Sequence, residues 1–284
     1  MKIGTFFLNM ITSVAIQGVK GSFHDIVAQE YFADKVSILE CLTFDEAISS
    51  IMALKTDAVI MALENSIAGS ILPNYALIDN NNLHVVGEHY LDIQHNLMAL
   101  KGQTIEDIKE ICSHPMALLQ CKEFFKKYPH IKLVEDKDTA EVARRIQEKQ
   151  LKGIAAIASS YAAELFDLEI LAESIQTVRH NETRFVIVKR TNHEVKEEEI
   201  NKASVKFSVD HKRGSLAAVL NVLSDCRMNL TKIQSLPIIE TPWKYAFFVD
   251  ITFTDYEEYK KAKSILSIMS LDFKVLGEYK KARP

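Results

Sequence analysis

The residues best suited to chemistry in this sequence are hydroxyls, side-chain amides and an arginine, which occur in short polar runs. The run Asn181-Glu182-Thr183-Arg184-Phe185 places a hydroxyl beside an arginine. This pairing suits the binding of an anionic, oxygenated molecule. The same run is also typical of an ordinary strand that begins with a surface arginine, so both interpretations stay open from these residues alone.

A second polar run, Glu64-Asn65-Ser66, follows an apolar stretch over residues 57–63. A carboxylate, an amide and a hydroxyl at the end of a predicted strand could bind a ligand. Asn and Ser also form turns by bonding to their own backbone. The sequence favours neither interpretation over the other.

A third run, Ser113-His114-Pro115, leads into a predicted helix that carries Gln120. Ser113 is a suitable N-cap, and proline is accepted in the first turn of a helix. A single histidine at a helix start is more often structural than catalytic, but it can also donate a proton or contact an anion. The run is therefore a candidate site.

A glycine-containing turn, Gly18 to Gly21, precedes Ser22 after the first predicted strand. This pattern favours a capped turn over an anion-binding cradle. The sequence contains no Ser-His-Asp spacing, P-loop, GxGxxG or HExxH motif. We therefore expect chemistry by hydroxyls, amides and an arginine, with no metal or other cofactor.

The elements that must position these runs alternate between short apolar stretches and amphipathic stretches from residue 13 to 188. Such alternation predicts an α/β domain with a largely parallel sheet, and the length suffices for two lobes. Ligands in such domains bind beyond the carboxyl ends of the strands. Within this region, residues 105–111 are predicted to be a helix capped by Thr104.

A polar stretch over residues 190–201 breaks this alternation. The stretch over residues 203–279 then has the element order βαββαβ, which is that of a ferredoxin-like split βαβ unit. The sequence therefore predicts two functional units joined near residue 195.

Taken together, these features resemble the prephenate dehydratase family in its monofunctional form with a C-terminal ACT regulatory domain. The resemblance covers about residues 14–279 and is carried by short motifs in the family's order: Gly18…Gly21-Ser22-Phe23, Glu64-Asn65-Ser66…Gly69, Ser113-His114-Pro115…Ala117…Gln120-Cys121, Asp138-Thr139-Ala140, Ala155-Ala156-Ile157-Ala158-Ser159 and Asn181-Glu182-Thr183-Arg184-Phe185. It implies a two-lobed α/β catalytic domain, similar to a periplasmic-binding-protein-like fold, over residues 12–190. A linker over 191–202 and a ferredoxin-like ACT domain over 203–280 follow.

The resemblance implies a lyase of phenylalanine biosynthesis, which converts prephenate to phenylpyruvate, CO2 and water under feedback control by phenylalanine. Aromatisation of the ring drives this reaction, so an enzyme has to orient the substrate, desolvate its ring carboxylate and assist the departing hydroxyl. By resemblance, Thr183 is the catalytic residue. Because a threonine hydroxyl is a weak acid, we expect it to assist by hydrogen bonding more than by full proton transfer.

The resemblance also implies substrate-binding residues, in both lobes of the catalytic domain. They are Ser22, Glu64, Asn65, Ser66, Ser113, His114, Gln120, Thr139, Arg184 and Phe185. Arg184 is expected to anchor a carboxylate and Phe185 to pack against the ring. The sequence departs from the family pattern at Met116, often a glutamine, and at His24, commonly a serine or threonine.

In the C-terminal unit, the resemblance implies an amino-acid effector site, with L-phenylalanine as the expected ligand. Its residues are Gly214, Ser215, Leu216, Ala217, Asn229, Leu230, Gln234 and Ser235. Gln234 and Leu236 replace a Glu and an Arg of the family pattern. A unit used only for dimerisation is the alternative. Because ACT sites usually lie at subunit interfaces, a homodimer or homotetramer is expected.

Composition limits the classes of partner and location. The formal net charge of −4 argues against a nucleic-acid partner. The four cysteines are widely spaced, which favours a reducing cytoplasm. The apolar stretch within residues 1–11 lacks a small-residue cleavage site and is too short to cross a membrane, which favours an extension before the first strand over a signal peptide.

Two rival functions remain open from the sequence. Arogenate dehydratase performs the same chemistry on an aminated side chain, and no residue distinguishes the two substrates. A noncatalytic amino-acid or ligand sensor also fits two α/β lobes around a cleft, although the Thr183-Arg184-Phe185 motif argues against it.

Overall fold

The computed structural model describes residues 12–33, 36–192, 195–238, 241 and 243–283, so the predicted extension over residues 1–11 lies outside the described part of the chain. Contacts divide the chain into two compact units. Unit 1 comprises residues up to 70 together with 90–185, and unit 2 comprises 71–89 together with the residues from 186 onward.

The first part of the chain alternates strands and helices, as expected. In order, the elements are β1 (Thr12–Gln17), α1 (Phe23–Phe32), β2 (Val36–Cys41), α2 (Phe44–Met52), β3 (Ala58–Asn65), β4 (Gly69–Ser70), α3 (Leu72–Asn80), β5 (His84–Asp92), β6 (Asn96–Ala99), β7 (Glu110–Ser113), α4 (Pro115–Gln120), α5 (Lys122–Phe125), β8 (Lys132–Glu135), α6 (Thr139–Lys149), β9 (Ile154–Ala158), α7 (Ser160–Leu165), β10 (Glu169–Ala172) and β11 (Glu182–Lys189).

The C-terminal part of the chain has the predicted βαββαβ order. Its elements are β12 (Lys202–Ser208), α8 (Ser215–Asp225), β13 (Asn229–Pro237), β14 (Tyr245–Thr252), α9 (Tyr256–Met269) and β15 (Leu271–Tyr279).

Unit 1 contains strands of two sheets, which are the cores of the two predicted lobes. In the first, β1 pairs in parallel with β2 and β3, and β11 lies beside β3. The second has the order β10-β6-β9-β7-β8, in which β7 is parallel to both of its neighbours. Buried alanine, isoleucine and leucine residues cover both faces of the second sheet. This arrangement confirms the predicted two-lobed α/β class.

Short polar side chains start the helices at the carboxyl ends of these strands. Ser22, Thr43, Asp138 and Ser159 each accept a hydrogen bond from a backbone N–H in the first turn of the helix that follows. Such caps satisfy N–H groups that have no partner within the helix.

The predicted helix over residues 105–111 is wrong. A single 3-10 turn, Ile105–Asp107, follows Thr104, and the chain then extends into β7. The capping hydrogen bonds between Thr104 and Asp107 are present, so Thr104 does mark the start of a helical turn. The helix does not continue because Ile108 and Ile111 are needed in the core of the second sheet, where they are fully buried.

The C-terminal sheet of unit 2 has the order β13-β14-β12-β15, with every pair antiparallel. Helices α8 and α9 pack over an apolar core that includes Phe207, Val249 and Tyr259. This is the strand order of a ferredoxin-like split βαβ unit, and it confirms that prediction.

Within unit 2, α3 and the first part of β5 pack against this sheet. Gly277 of β15 lies so close to Val85 that an added Cβ would stand 2.1 Å from the Val85 carbonyl oxygen, so no residue other than glycine fits there without a backbone shift. A buried ion pair joins Lys202 to Glu88 at 2.7 Å. Lys202 was predicted to end the linker over 191–202, and it is the first residue of β12.

Among the described residues, no helix has both the length and the apolar character needed to cross a membrane. All four cysteines are buried and free.

Candidate active site

The end of β3 meets the start of β11 in unit 1, and this junction holds the predicted catalytic threonine. Ser66 fastens the two strands, because its backbone N–H donates to the Glu182 carbonyl at 2.8 Å and its hydroxyl accepts from the Glu182 N–H at 2.9 Å. Asn65 is thereby placed next to Thr183. The two runs singled out in the sequence therefore form one site.

The orientation of the Asn65 amide is set by its own loop. Its oxygen Oδ1 accepts hydrogen bonds from the backbone N–H groups of Ile67 and Ala68, at 3.0 and 2.9 Å. The amide nitrogen Nδ2 must then face the other way, where it donates to Asn181 Oδ1 at 2.7 Å and to Thr183 Oγ1 at 3.0 Å. Thr183 is thus an acceptor in this contact.

Because Thr183 Oγ1 accepts from Asn65, its own hydrogen remains available. The part of the chain that the structure describes supplies no acceptor for that hydrogen within bonding distance. The side chain is nearly buried, with 7% of its surface exposed. A hydroxyl held in this way can donate to an oxygen on a bound molecule.

The network continues from Asn181 to two further side chains. Asn181 Nδ2 donates to Gln120 Oε1 at 2.9 Å, and the same oxygen lies 2.8 Å from His95 Nε2. Gln120 Oε1 is therefore shared by two donors, and the Gln120 Nε2 group has no partner among the described residues. Gln120 can accordingly offer N–H donors to an anionic ligand.

His95 is a neutral ring in this network. Burial lowers its pKa, the hydrogen bond to Gln120 opposes that shift, and the nearby His114 lowers the pKa further. A neutral imidazole has one N–H, and Nε2 must carry it because Nε2 faces an oxygen that only accepts. Nδ1 is then a buried lone pair, without a partner in the described chain.

The network lies where the chain crosses between the two lobes of unit 1. One crossover, residues 93–95, leads from β5 to β6, and the other, residues 173–181, leads from β10 to β11. The Ile93 N–H donates to the Asn181 carbonyl at 2.6 Å, and the Ile175 N–H donates to the His95 carbonyl at 2.9 Å. The two crossovers are thus hydrogen-bonded to each other, which fixes the network where the chain passes between the lobes.

Other predicted residues start helices outside this network. The Ser22 hydroxyl accepts from the Asp25 N–H at 3.3 Å, and His114 Nδ1 accepts from the Met116 N–H at 3.2 Å. Thr139 is the first residue of α6, but the capping side chain is Asp138, a carboxyl whose pKa is raised by burial. The Ser22, His114 and Thr139 side chains have no hydrogen bond to the network in the described part of the chain, although His114 is close enough to His95 to affect its pKa. Their binding roles stay predictions.

Ser113 is fully buried in β7, where its hydroxyl donates to the Ile157 carbonyl of β9 at 2.7 Å. The predicted N-cap of α4 is therefore wrong, since His114 occupies that position. In this arrangement the Ser113 hydroxyl stabilises the pairing of two strands. Its predicted contact with substrate stays untested.

Arg184 and Phe185 follow Thr183 in β11, but the surroundings of their side chains differ. Adjacent residues of a strand point to opposite faces, so Arg184 faces away from the side of Thr183. The Phe185 ring packs edge-on against His24, at 5.0 Å between ring centroids. The side chains of Thr183 and Arg184 therefore lie on opposite faces of β11, and a carboxylate anchor at Arg184 stays a prediction.

Glu64 immediately precedes Asn65 and pairs across the β3–β4 turn with Ser70. It is partly buried and precedes Asn65 at the end of β3. Its predicted contact with substrate is neither supported nor contradicted by this position.

The comparisons with known proteins agree with this site. The prephenate dehydratase family model matches residues 14–193, which contain every member of the network. The chain belongs to the prephenate dehydratase family.

The similarity to known proteins extends beyond residues 14–193. Arogenate dehydratase/prephenate dehydratase 2, chloroplastic, of Arabidopsis thaliana is 34% identical over 276 residues, which are 94% of this chain and 72% of that protein. The prephenate dehydratase of Arthrobacter aurescens in complex with L-Phe is similar in structure, with a TM-score of 0.85, 25% identity and coverage of 95% of this chain and 90% of that one. GqqA, described as a novel type of quorum quenching acylases, has a TM-score of 0.84 and 28% identity, with 95% and 98% coverage.

A cavity of about 600 Å³ lies near the dehydratase network in unit 1. Phe23 connects the two, since it lines the cavity and its ring also packs edge-on against His95 at 5.8 Å between centroids. The rest of the lining includes Ser159, Ser160 and Tyr161 at the start of α7. Among the residues predicted from the sequence to bind substrate, none lines this cavity.

In unit 2, the predicted effector residues of this dehydratase fall at two ends of the sheet. Ser208 and Leu236 flank the same residue of β14, Ala246, so the ends of β12 and β13 are level. Gly214, with φ of +84°, starts α8 beyond the end of β12. Gly214–Ala217 therefore lie at the same end of the unit as Gln234 and Ser235.

Asn229 and Leu230 lie at the opposite end. Asn229 is the first residue of β13 and Lys202 is the first residue of β12. Both flank Thr252, the last residue of β14. Ser235 is six positions along the strand from Asn229, a distance of about 20 Å. One amino-acid ligand cannot reach both ends within one chain, so the predicted effector set is not a single site there.

Sequence reasoning missed His95 and Gln176 and left Asn181 without a role. Gln176 Oε1 accepts from the His95 backbone N–H at 3.0 Å, which anchors the histidine from a second crossover. A signal was present, since Gln94-His95-Asn96 is a polar triplet between two apolar strands. Its meaning depends on residues 25 and 81 positions away, which only the fold brings near.

Proposed function

We propose that this chain catalyses the decarboxylating dehydration of prephenate to phenylpyruvate, CO2 and water. The observation that carries the proposal is the Asn65–Thr183 hydrogen bond, which leaves the Thr183 hydrogen free to donate. As the ring loses CO2, electrons move into the ring and expel the hydroxyl at the opposite carbon. A hydrogen bond from Thr183 to that departing oxygen lowers the cost of its developing charge.

The remaining groups of the network suit a dicarboxylate substrate. The Gln120 Nε2 group can donate to a carboxylate, because the Oε1 atom of the same amide is already occupied by Asn181 and His95. Ser22, Glu64, Ser66, Ser113, His114, Thr139, Arg184 and Phe185 remain proposed substrate-binding residues by family resemblance. No cofactor is proposed.

The direct test is to incubate the purified protein with prephenate and to follow phenylpyruvate. Turnover that disappears in Thr183→Val supports the proposal. The absence of phenylpyruvate with an active control dehydratase in parallel contradicts it.

Arogenate is the second candidate substrate, and the name of the Arabidopsis relative, which includes both activities, favours its inclusion. The chemistry at the ring is the same for the two substrates, so Thr183 keeps its role with either. Comparison of kcat/KM for arogenate and prephenate decides the preference.

The contacts of Ser113 and Ser159 do not favour either residue as the nucleophile of an acylase of the kind named for GqqA. The hydroxyls of Ser113 and Ser159 each donate to a backbone carbonyl, that of Ile157 and that of Gly21 respectively. A serine nucleophile requires a base that accepts its hydrogen.

We further propose that the C-terminal unit is an ACT domain that binds L-phenylalanine. The similar Arthrobacter enzyme is described as a complex with L-Phe. In this chain, the supporting geometry is the end of the unit where the start of α8 lies level with Gln234 and Ser235. Asn229 and Leu230, at the other end, would join such a site only from a second subunit.

Calorimetric titration of the full chain with L-phenylalanine tests this site. We expect Gly214→Ala to weaken binding at least tenfold. Gly102→Ala is the matched control, because Gly102 also has a positive φ and open space around its Cα. Equal loss in both variants would show a general effect of backbone strain.

A homodimer or homotetramer fits the exposed edge of the same sheet. β13 is an edge strand, and Ile233 on it is 45% exposed. Unpaired edges with apolar side chains are surfaces that a second chain can cover. Sedimentation velocity of wild type and Ile233→Lys tests this, with loss of the larger species expected in the variant.

The monofunctional form, the cytoplasmic location and the domain boundaries at 12–190, 191–202 and 203–280 remain proposals. An assay for chorismate mutase activity in the purified protein tests the first. Limited proteolysis with mass spectrometry tests the boundaries, with cleavage expected first within 191–202.

A further inference from the structure

We propose that His95 is a positioning residue of the dehydratase site, acting through Gln120, Asn181 and Asn65 on Thr183. Its Nε2–H holds the Gln120 oxygen, and the chain of amides that follows keeps the Thr183 hydroxyl in the acceptor role towards Asn65. The kinetic part of this inference rests on the proposed dehydratase function.

The polarity of this hydrogen-bond network cannot be reversed. The backbone N–H groups of Ile67 and Ala68 only donate, so the atom of Asn65 that faces them is the oxygen. Asn65 then donates to Asn181, which donates to Gln120. Each link permits a single direction.

His95 closes this chain of hydrogen bonds. If Nε2 lacked its hydrogen, two lone pairs would face each other across 2.8 Å, at His95 Nε2 and Gln120 Oε1. Rotation of the Gln120 amide would remove that repulsion but would set two donors against each other at Asn181. If the Asn181 amide rotated in turn, its donor would face the donor of Asn65. Asn65 cannot rotate to relieve this repulsion, because two backbone N–H groups hold its orientation.

The surroundings of His95 keep the ring in place. The residue is 3% exposed, its N–H donates to Gln176 Oε1, and its carbonyl accepts from the Ile175 N–H. Phe23 covers the ring edge-on. Because water has little access, a lost hydrogen bond at Nε2 is not replaced by solvent.

Two substitutions of His95 distinguish the role of Nε2 from that of Nδ1. Glutamine places an amide N–H near the position of Nε2, whereas asparagine reaches only the position of Nδ1. We expect His95→Asn to lower kcat about 100-fold, the cost of slight misplacement at a reacting group. His95→Gln should recover most of that loss, to within about tenfold of wild type.

The matched control is His130→Asn, because His130 is an exposed histidine. A purely structural role for His95 predicts equal losses in the Asn and Gln variants, parallel to their loss of thermal stability. That result, or a more active Asn variant, would overturn the proposal.

A double-mutant cycle locates the path of the effect. In a Gln120→Ala background the partner of His95 is gone, so His95→Asn should cost less than about threefold more. A full 100-fold further loss would show that His95 acts on the substrate or elsewhere, and not through Gln120.

The tautomer of His95 can be measured without any activity. In protein labelled with ¹⁵N-histidine, the His95 signals are assigned by their disappearance in His95→Gln. We expect hydrogen on Nε2 and none on Nδ1 at pH 7; hydrogen on Nδ1 would overturn the relay. If the wild-type protein converts neither prephenate nor arogenate, the proposed function is wrong. The NMR measurement still decides which nitrogen of His95 carries the hydrogen, and hence the direction of the His95–Gln120 hydrogen bond.

Discussion

Asn65 donates its side-chain amide to the Thr183 hydroxyl at 3.0 Å, across residues that are 118 positions apart in the chain. The direction of this bond matters more than its existence. Since Asn65 occupies a lone pair of the hydroxyl oxygen, the Thr183 hydrogen is left for a ligand. The loop after β3 thus decides what the threonine of β11 can do.

The first prediction concerns the direction of that bond. Asn65→Asp keeps an oxygen for the Ile67 and Ala68 N–H groups but cannot donate to Thr183 or Asn181. We expect kcat to fall about 100-fold or more, a loss typical of one misplaced donor at a reacting oxygen. Steady-state kinetics measures this, with Asn221→Asp on the exposed face of α8 as the control.

The second prediction concerns the hydroxyl itself. Thr183→Val keeps the shape of the side chain and removes the donor, so we expect a loss of about 10²–10⁴ in kcat with a smaller change in KM. Thr183→Ser restores the hydroxyl and should recover activity to within about tenfold. A Val variant as active as the Ser variant would remove Thr183 from the mechanism.

The third prediction concerns stability against pH. Burial lowers the pKa of His24 to about 3, from 6.5 in an unfolded chain. Between these values the unfolded chain binds the additional proton, so folding stability falls as the pH drops below 6.5, by about 1.4 kcal/mol for each pH unit. Above pH 6.5 His24 is neutral in both states and this contribution to the pH dependence vanishes.

Urea unfolding at pH 7 and pH 5 measures this effect of His24. His24→Phe fits a site where the ring already packs edge-on against Phe44 and Phe185, and it removes the titration. Relative to wild type, we expect the variant to lose about 2 kcal/mol less between the two pH values. The control His130→Phe, at an exposed histidine, should leave the difference unchanged.

The fourth prediction concerns the Lys202–Glu88 pair of unit 2, whose side chains are 5% and 1% exposed. Lys202→Met removes the cation that faces the buried Glu88 carboxylate, and the loss of one member of a buried ion pair costs about 3–5 kcal/mol of folding free energy. Lys101→Met breaks an exposed pair with Asp167 and should cost about 0–1 kcal/mol. Denaturant unfolding compares the two, and equal costs would refute the role assigned to burial.

Much of the fold could be predicted from the sequence because local signals agreed with it. Apolar periodicity and the cap at Ser22 indicated the α/β alternation, and the order of elements after residue 202 indicated the ferredoxin-like unit. The prediction failed at residues 105–111, where a correct helix-start signal was overridden by the burial of Ile108 and Ile111 in a sheet. Local propensity is weaker than the free energy of burying two isoleucines.

For the site, the sequence by itself determined which residue types carry the chemistry and that they belong to a dehydratase family. The tertiary structure alone decided the direction of each hydrogen bond. Thr183 and Arg184 are adjacent in the sequence, but their side chains point to opposite faces of β11. One network instead joins residues that are far apart in the sequence: Asn65, His95, Gln120, Asn181 and Thr183. The reason is physical, since the polarity of a hydrogen bond depends on which atoms meet in space, and that meeting is set by strand pairing and crossovers.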